Sequence, residues 1–387
     1  MTSDQMVALL VLAVGAFLAP LVSRRIGIPA SVGEILLGAL IANLIGPLAN
    51  TGVPGALGFV GFAVLMFTAG LEIDFDRIER GGAGQLVVAL IYVAVSTGGT
   101  VALVVIRGDA PILGIAYGVT SIGIAVAAMR EANVIGGRIG QTVLLVGGLG
   151  EFVSMLALTG IDLVSRSASG PVSLQLIKLL GALILVYLVL VVLRSLVWWS
   201  PESFERLVDA KDPSEVGIRA ALALMLAFVA AAALLGLEPI LGAFLAGAVF
   251  SLVFRSSEPL TEKLTSVGYG FLIPIFFIGV GQDLRWQSLI RPSVVVPLGI
   301  ALVVTVLAKV LAAPVLRLAG LSWHGALTVA VFLAAPLTLQ VAIARLGADL
   351  HLLSQTDATA LIVASVFSGV IMPSLARRLS GQAEQTV

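Results

Sequence analysis

Two charged side chains lie deep inside apolar segments of this sequence. Glu151 interrupts the run LVGGLGEFVSML (145–156), and Lys309 interrupts VLAKVLAAP (306–314). A charge at the middle of a membrane span costs about 3 kcal/mol on insertion scales unless it meets a partner or a cavity. The two residues are therefore candidates for one site, either a fixed ion pair that orients two helices or a site that does chemistry.

A buried carboxylate near an ammonium group could exchange a proton for a metal cation. Burial and the neighbouring charge act in opposite directions on the proton affinity of the carboxylate, so the two effects can balance near neutral pH. Because oxygen ligands suit hard cations, we predict a monovalent cation, Na⁺ or K⁺, at Glu151. Further oxygens could come from five polar residues, although each could instead be satisfied within its own helix: Thr120, Ser121, Ser154, Thr338 and Gln340.

The composition indicates a membrane protein made of helices. The chain has 387 residues, of which 59% are hydrophobic and 11% charged, and its mean hydropathy is +1.12. Apolar stretches long enough to cross a bilayer recur along the chain. They predict an all-α polytopic membrane protein with about thirteen transmembrane helices: 4–22, 30–48, 56–72, 84–106, 110–130, 139–165, 173–198, 215–236, 238–254, 264–281, 292–318, 324–346 and 356–378.

Several classes of function find no support in the sequence. The net charge of zero gives no indication of a nucleic-acid partner. The absence of cysteine excludes disulfides and cysteine-ligated metals, and His324 and His351 fall at span ends. No GxxxxGK[ST], HExxH or GxSxG motif occurs, and the GGLG before Glu151 has no preceding strand. We expect neither an enzyme nor an ATP-driven pump, and no cofactor.

The distribution of basic residues predicts an orientation. The first apolar run follows Asp4 without any Lys or Arg, so it lacks the basic start of a signal peptide and should be the first span. Of the 22 Lys and Arg residues, Lys309 lies inside a span, fifteen lie at span ends facing one side and six at ends facing the other. The six are Arg107, Arg166, Lys178, Arg285, Arg291 and Arg345. By the positive-inside rule the N-terminus is outside and the C-terminus cytoplasmic, in the cell (inner) membrane.

Two pairs of segments indicate an internal repeat. GFAVLMFTAGLEID (61–74) aligns with GFLIPIFFIGVGQD (270–283), and LLGALIANLIG (36–46) aligns with ILGAFLAGAVF (240–250). The paired helices lie seven spans apart, and an odd separation gives opposite topology, as in the inverted repeats of secondary transporters. We therefore predict two inverted-topology repeats of six helices joined by a linker helix at 173–198. Chance similarity between glycine-rich apolar helices is the alternative.

The repeat places two interrupted helices at matching positions. The fifth predicted helix carries GVTSIG (118–123), and the twelfth carries AAPLTLQ (334–340), in which Pro336 lacks a backbone donor. Broken helices at matching positions form the substrate site in transporters built from inverted repeats, although each segment alone could be a plain kinked helix. The polar segment 199–214 is either a connector at the membrane interface or a solvated loop.

Several motifs resemble those of the monovalent cation:proton antiporter-2 family, which contains sodium/proton and potassium/proton exchangers. RRIGIPASVGEILLGALIANLIGP (24–47) is similar to the family's signature with its basic, Pro, Gly-Glu, Gly and Gly-Pro positions, and MFTAGLEIDF (66–75) is similar to its Phe-Gly-Leu-Glu motif. GAFLAGAVFS (242–251) and FFIGVG (276–281) match the later half. The spacing from Thr120-Ser121 to the carboxylate segment at Glu151 is also the family's. The resemblance covers the whole chain.

The resemblance implies a sodium/proton-antiporter-like fold with broken crossing helices and two kinds of domain. The dimerisation domain would comprise 1–83 and 215–291, and the moving core domain would comprise 84–172 and 292–387. Residues 173–214 would form the linker helix and interfacial connector. A homodimer in membrane lipid that works by elevator-like alternating access is expected. No nucleotide-binding regulatory domain is expected, because only about ten residues follow the last predicted helix.

The resemblance also identifies departures at the ion site. Family sites have two adjacent carboxylates, and Glu151 stands at the second position while Gly150 stands at the first. Lys309 matches the family's core lysine, which pairs with the first carboxylate in electrogenic members, so here it is left with Glu151 as its partner. The familiar Pro-Arg-Gly-Glu of the twelfth helix is Pro336-Leu337-Thr338-Leu339. Contacts around the ion or with substrate are predicted for Gly150, Pro336, Thr338 and Gln340.

The sequence thus predicts a secondary active antiporter that exchanges Na⁺ or K⁺ for H⁺. Glu151 would bind the cation and the proton in turn, Lys309 would be the internal counter-charge, and a single carboxylate favours one-for-one exchange. Two alternatives remain at this point. One is a sodium-coupled symporter of an organic anion, in which Lys309 contacts the substrate. The other is a membrane sensor or scaffold subunit that binds an ion without transporting it.

Overall fold

The apolar segments fold into helices that supply their own backbone hydrogen bonds, as lipid requires. The computed structural model describes residues 2–44, 53–71, 82–122, 124–125, 128–129, 134, 136–165, 181, 184, 191, 195, 215–235, 239–253, 258–282, 284 and 291–383. All regular structure in these ranges is helical. The predicted linker helix at 173–198, apart from four single helical residues, and the connector at 199–214 lie outside them.

The described helices are numbered in chain order. They are α1 (Ser3–Ile26), α2 (Ala30–Leu44), α3 (Val53–Leu71), α4 (Gly82–Val93, a π-helical turn Ala94–Gly98, then Gly99–Ile106), α5 (Pro111–Gly118), α6 (Arg138–Ser165), α7 (Val216–Leu234), α8 (Pro239–Val253), α9 (Glu258–Val267, a π-helical turn Gly268–Leu272, then Ile273–Gln282), α10 (Pro292–Ala312 with a 3-10 extension Ala313–Ala319), α11 (Trp323–Leu333), α12 (Leu337–Asp349) and α13 (Gln355–Ala383). Most predicted helices in the described ranges are present with ends that differ by a few residues. Two differ more: predicted helix 110–130 is interrupted after Gly118, and predicted helix 324–346 is divided into α11 and α12.

The helices are long and apolar enough for a multi-pass membrane protein. Within the described ranges seven helices meet that criterion, or up to eight when α11 and α12 count as one bent span. Three shorter apolar helices, α2, α3 and α8, accompany them. Local sequence sets some of the ends: Thr2 and Gln5 form a reciprocal cap at the start of α1, and Gly27, with a φ of 78°, ends it.

The chain divides into two compact units. One contains residues 1–55, 77–158 and 277–387, and the other contains residues 56–76 and 159–276. The first unit holds Glu151, Lys309 and the other predicted site residues. Its buried apolar side chains include Tyr92, Val93, Phe332 and Leu333, which pack together beside the site.

Within the first unit, α2 and α9 cross so closely that only glycine fits at the contact. A Cβ atom at Gly38 would lie 2.0 Å from the carbonyl oxygen of Ile278, and a Cβ atom at Gly281 would lie 2.0 Å from that of Ile35. Backbones this close leave no room for side chains, which is the reason small residues mark helix crossings in membranes.

Within the second unit, α8 and α3 cross in the same manner. A Cβ atom at Gly247 would lie 2.0 Å from the carbonyl oxygen of Phe67, and one at Gly70 would lie 2.2 Å from that of Phe244. The contacting positions of α2 and α8 are 209 residues apart, and those of α3 and α9 are 211 apart. Each unit therefore contains a helix crossing with the same arrangement of glycine contacts.

Candidate cation site

Helix α5 stops in the middle of the first unit. Its last turn ends at Gly118, and Val119 to Ile122 are not helical, while helical residues resume at 124–125 and 128–129. The close approach of α5 to α4 depends on two glycines one turn apart. A Cβ atom added at Gly114 would lie 2.5 Å from Val101 Cα, and one added at Gly118 would lie 2.4 Å from Thr97 Cα. The predicted interruption in GVTSIG is thereby confirmed, and it begins directly after a helix crossing.

The π-helical turn of α4 meets the broken end of α5. Thr97, in that turn, donates its hydroxyl to the carbonyl oxygen of Gly118 at 2.8 Å. One turn later, Thr100 donates to the carbonyl oxygen of Gly114 at 2.7 Å. Single π-helical turns are frequent at functional sites because they leave backbone groups available. Here the turn brings a hydroxyl to a carbonyl that the broken helix cannot satisfy by itself.

Glu151 lies on α6 against the resumption of the broken helix. Its side chain is 3% exposed. Its Oε1 atom accepts hydrogen bonds from Ser121 Oγ at 2.7 Å and from the backbone N–H of Ile122 at 3.1 Å. Since a helix N-terminus presents unsatisfied N–H groups and a positive dipole end, it favours an anion there. The structure therefore brings the predicted residues Ser121 and Glu151 together.

The second break separates α11 from α12 and meets the first. The two helices are bent by 42° across Ala334 to Pro336, as the proline predicted. Thr338, in the first turn of α12, shares a short hydrogen bond with Ser121. Gln340 donates from Nε2 to the carbonyl oxygen of Ala116 at 3.0 Å and to Thr305 Oγ1 at 3.2 Å. The expectation of broken, crossing helices is confirmed.

Lys309 meets the other end of the same break. Its side chain is fully buried, and its ammonium donates to the carbonyl oxygen of Gly118. Tyr92 donates its hydroxyl to the backbone carbonyl of Lys309 at 3.2 Å. Over the described residues no ion pair joins Lys309 to Glu151, so the predicted pairing does not describe this conformation. The physical reason is that the carboxyl end of α5 offers the ammonium a carbonyl oxygen and a negative dipole end.

The remaining predicted residues lie around Glu151. Ser154, one turn along α6, is fully buried, and its hydroxyl has no hydrogen-bond partner among the described residues. Thr120 is also fully buried and donates weakly to the carbonyl oxygen of Gly147 at 3.4 Å. Gly150 packs directly against Thr120. Pro336 contributes its carbonyl, which accepts from the N–H of Gln340 at 2.8 Å.

Four contributors to this site were not predicted. Thr97 bonds the end of α5, Tyr92 and the carbonyl of Gly118 bond Lys309, and Thr305 accepts a hydrogen bond from Gln340. Thr305 could have been found, because it precedes Lys309 by four residues and so lies on the same helix face. Every residue has a backbone carbonyl, so the sequence does not indicate which one will bind Lys309, and this partner could not have been predicted.

The arrangement places opposite charges at opposite ends of an unwound segment. The Lys309 ammonium lies at the carboxyl end of α5, and the Glu151 carboxylate lies where helical structure resumes. Half-helix ends of this kind bind ions in transporters. Glu151 with the Ser121 and Thr338 hydroxyls offers oxygen ligands to a hard cation. Among the described residues no group of three His, Cys, Asp or Glu side chains is assembled, and Glu151 is the carboxylate whose printed hydrogen bonds place it at the break.

Comparison with known proteins assigns the chain to a family. The profile of the family described as "Sodium/hydrogen exchanger, transmembrane" matches residues 13–379. The chain therefore belongs to the sodium/hydrogen exchanger family, whose members are ion transporters and not enzymes, and which need no cofactor. The predicted resemblance to cation:proton antiporters is confirmed.

Individual relatives are similar along the whole chain. The YjbQ protein of Bacillus subtilis (strain 168), provisionally named a Na(+)/H(+) antiporter, is 29% identical over 416 residues that cover all of this chain and 65% of that protein. This chain thus spans less than two thirds of that relative's length. The Na(+)/H(+)-K(+) antiporter GerN of Bacillus cereus is 25% identical, with 94% of this chain and 93% of GerN covered.

A solved structure has the same fold. The sodium proton antiporter MjNhaP1 from Methanocaldococcus jannaschii, determined at pH 8, superposes with a TM-score of 0.64. The superposition covers 98% of each chain at 15% sequence identity. At this identity the similarity concerns the fold alone.

Proposed function

We propose that this chain is a secondary active antiporter that exchanges a monovalent cation, Na⁺ or K⁺, for H⁺ across the cytoplasmic membrane. The observation that carries the proposal is the position of Glu151. Its buried carboxylate accepts hydrogen bonds from Ser121 and from the N–H of Ile122 at the crossing of two broken helices. A group held in this way can bind a cation when ionised and a proton when the cation leaves.

The cation would be bound mainly by neutral oxygens around one carboxylate. Glu151 supplies the negative charge, and the hydroxyls of Ser121, Thr338 and Ser154 supply further oxygens. The free hydroxyl of Ser154, fully buried one turn from Glu151, supports this assignment. Since one carboxylate binds either one cation or one proton, the proposed stoichiometry is one for one.

Lys309 would act as a fixed counter-charge at the far end of the break. A buried ammonium beside Gly118 offsets the charge of the nearby carboxylate without contacting it, and the hydrogen bond to Gly118 also holds the end of α5 in place. This role differs from direct pairing with Glu151, which the sequence predicted. It leaves the carboxylate accessible to a cation.

The transport cycle would be elevator-like alternating access in a homodimer. Residues 84–172 and 292–387 would form the moving core, and residues 1–83 and 215–291 the dimerisation domain. The repeated crossing of α2 with α9 and of α8 with α3 supports the inverted repeat on which such a mechanism depends. The N-terminus would lie outside and the C-terminus in the cytoplasm, on the basis of the basic residues.

Purified protein in liposomes that contain a pH-sensitive dye tests the proposal. An imposed gradient of Na⁺ or K⁺ should drive proton movement in the opposite direction, and a series with Na⁺, K⁺ and Li⁺ identifies the preferred ion. Proton movement no faster than in protein-free liposomes for every cation would reject the antiporter. Uptake of an organic anion that depends on Lys309 and ignores pH would indicate the symporter, and binding without flux would indicate the sensor.

Ser121→Ala should weaken cation binding without preventing folding. The variant removes the hydroxyl that bonds both Glu151 and Thr338, whereas the Ile122 N–H remains. A hydrogen bond to a charged group contributes about 1.5–3 kcal/mol, so the cation concentration for half-maximal exchange should rise by about tenfold or more. Ser365→Ala is the matched control, because Ser365 is equally buried but bonds its own helix at Ile362. Equal behaviour of the two variants would remove Ser121 from the site.

A further inference from the structure

We propose that the end of the first unit formed by Arg138, Arg317, Leu318, Trp323 and Arg378 binds the phosphate of an anionic phospholipid. We term these five residues the basic end. They lie outside the cation site, and the inference does not depend on the proposed transport activity. The basic end is built where the membrane span of α10 finishes and α11 begins.

Arg317 and Trp323 form the aromatic part of the basic end. The Arg317 guanidinium carbon lies 4.7 Å from the centre of the Trp323 ring, so the cation stacks on the indole. The turn between them depends on Gly320, which has a φ of 77° and donates its N–H to the carbonyl of Arg317 at 2.8 Å. Trp323 is 53% exposed, so one face of this pair is open to the surroundings.

Arg138 reaches the same turn from the start of α6. Its Nη2 atom donates to the carbonyl oxygen of Ala319 at 2.8 Å and lies 2.6 Å from where a Cβ atom of Gly320 would stand. The glycine is thus required for the guanidinium to approach. Two arginines from different helices are held within one turn of each other, and both are exposed.

A third arginine follows from the contact of His324 with the end of α13. The ring nitrogen Nε2 of His324 lies 2.8 Å from the carbonyl oxygen of Leu379, which joins the start of α11 to the end of α13. Arg378, the neighbour of Leu379, is exposed. In the described part of the chain, Arg138, Arg317 and Arg378 make no ion pair with an acidic side chain, so their charge is available for an anion.

The surrounding side chains indicate that the anion belongs to a lipid. Leu318 is 72% exposed next to Arg317, and Leu311 is 70% exposed two turns earlier on α10. Exposed leucines within a span, followed by a Trp–Arg pair at its end, are typical of residues at the headgroup level of a bilayer. Arginine recognises phosphate through its fork of N–H donors, and clusters of basic residues at this level bind anionic headgroups.

Native mass spectrometry of the detergent-solubilised full chain tests the inference, with phosphatidylglycerol and phosphatidylcholine of identical acyl chains as probes. Phosphatidylglycerol should bind more tightly. Arg317→Gln and Arg138→Gln should each weaken it by about fivefold, and the double variant by more, since each arginine near a membrane surface contributes about that factor. The affinity of Arg317→Lys should lie between those of the wild type and Arg317→Gln, because lysine keeps the charge and loses the flat stacking on Trp323.

Arg291→Gln is the matched control, because Arg291 is an exposed arginine at the opposite end of α10. It should leave the tightest phosphatidylglycerol affinity unchanged. Equal binding of the two lipids, wild-type affinity in the double variant, or an equal loss in Arg291→Gln would each overturn the proposal. Displacement of the lipid by millimolar inorganic phosphate would also overturn it, because the site would then be one for free phosphate.

Discussion

Glu151→Gln is expected to reduce cation-driven proton movement to the level of protein-free liposomes while the protein still folds. A glutamine cannot change charge, so it cannot release a proton to admit a cation. Its amide oxygen can still accept the hydrogen bonds that Ser121 and Ile122 give to Oε1. The substitution therefore separates the chemistry of the site from its architecture. The measurement is dye-reported proton flux, together with size-exclusion chromatography and the apparent melting temperature.

Glu34→Gln is the matched control for this variant. Glu34 lies on α2 in the same unit and is also a buried carboxylate in an apolar helix, but it makes no contact with the broken helices in the described contacts. Exchange should survive its replacement. Flux that persists in Glu151→Gln would show that another group carries the proton. Loss of flux in both variants would show that any buried carboxylate is needed for assembly, and the special role of Glu151 would then fail.

The spans and the breaks could be predicted because they have local causes. Long apolar runs must form helices in lipid, and Pro336 removes a donor whatever surrounds it. The interruption at Gly118 was also indicated, by the glycines and hydroxyls of GVTSIG. These features depend on short segments, so they can be predicted without knowing how the helices pack.

The partner of Lys309 could not be predicted for a different reason. Two rare opposite charges at similar depth suggested an ion pair. A sequence shows which side chains are charged, but it does not show which backbone groups become hydrogen-bond acceptors. The structure instead offers the ammonium the Gly118 carbonyl, which becomes an acceptor only because α5 ends there. The choice between the two partners depends on how α5, α6 and α10 pack, and no local pattern records that.

The internal repeat stays a prediction, and the sequence did not determine the register in which its helices correspond. The sequence aligned 36–46 with 240–250 and 61–74 with 270–283, whereas the glycine contacts match Gly38 with Gly247 and Gly70 with Gly281. Apolar helices rich in Gly, Ala and Leu align almost equally well in several registers. A glycine whose Cβ atom would strike a backbone carbonyl distinguishes them, because that register alone permits the crossing.

Gly150→Ala is expected to destabilise the protein, although alanine normally favours a helix over glycine by about 1 kcal/mol. A Cβ atom at this position would lie 1.8 Å from Thr120 Oγ1 and 3.3 Å from Val93 Cγ2. Crowding of this kind costs about 1–3 kcal/mol in packed interiors, so the apparent melting temperature should fall. Gly148→Ala is the matched control on the same helix, since a Cβ atom there meets nothing within 4 Å, and it should not lower the melting temperature.

Gly150→Asp should be more severe than Gly150→Ala and should abolish exchange, even though it would create the pair of adjacent carboxylates that the family resemblance implies for this position. The reason is that the Thr120 hydroxyl lies where the first atom of that side chain would stand, so we expect an aspartate at position 150 to displace Thr120. Thr120→Gly combined with Gly150→Asp should recover the melting temperature, because it removes both Thr120 atoms that a new Cβ would approach. A double-mutant cycle on the melting temperatures measures this coupling. Additive effects of the two substitutions, or a Gly150→Asp protein as stable as wild type, would show that Thr120 does not fill the place of the first carboxylate.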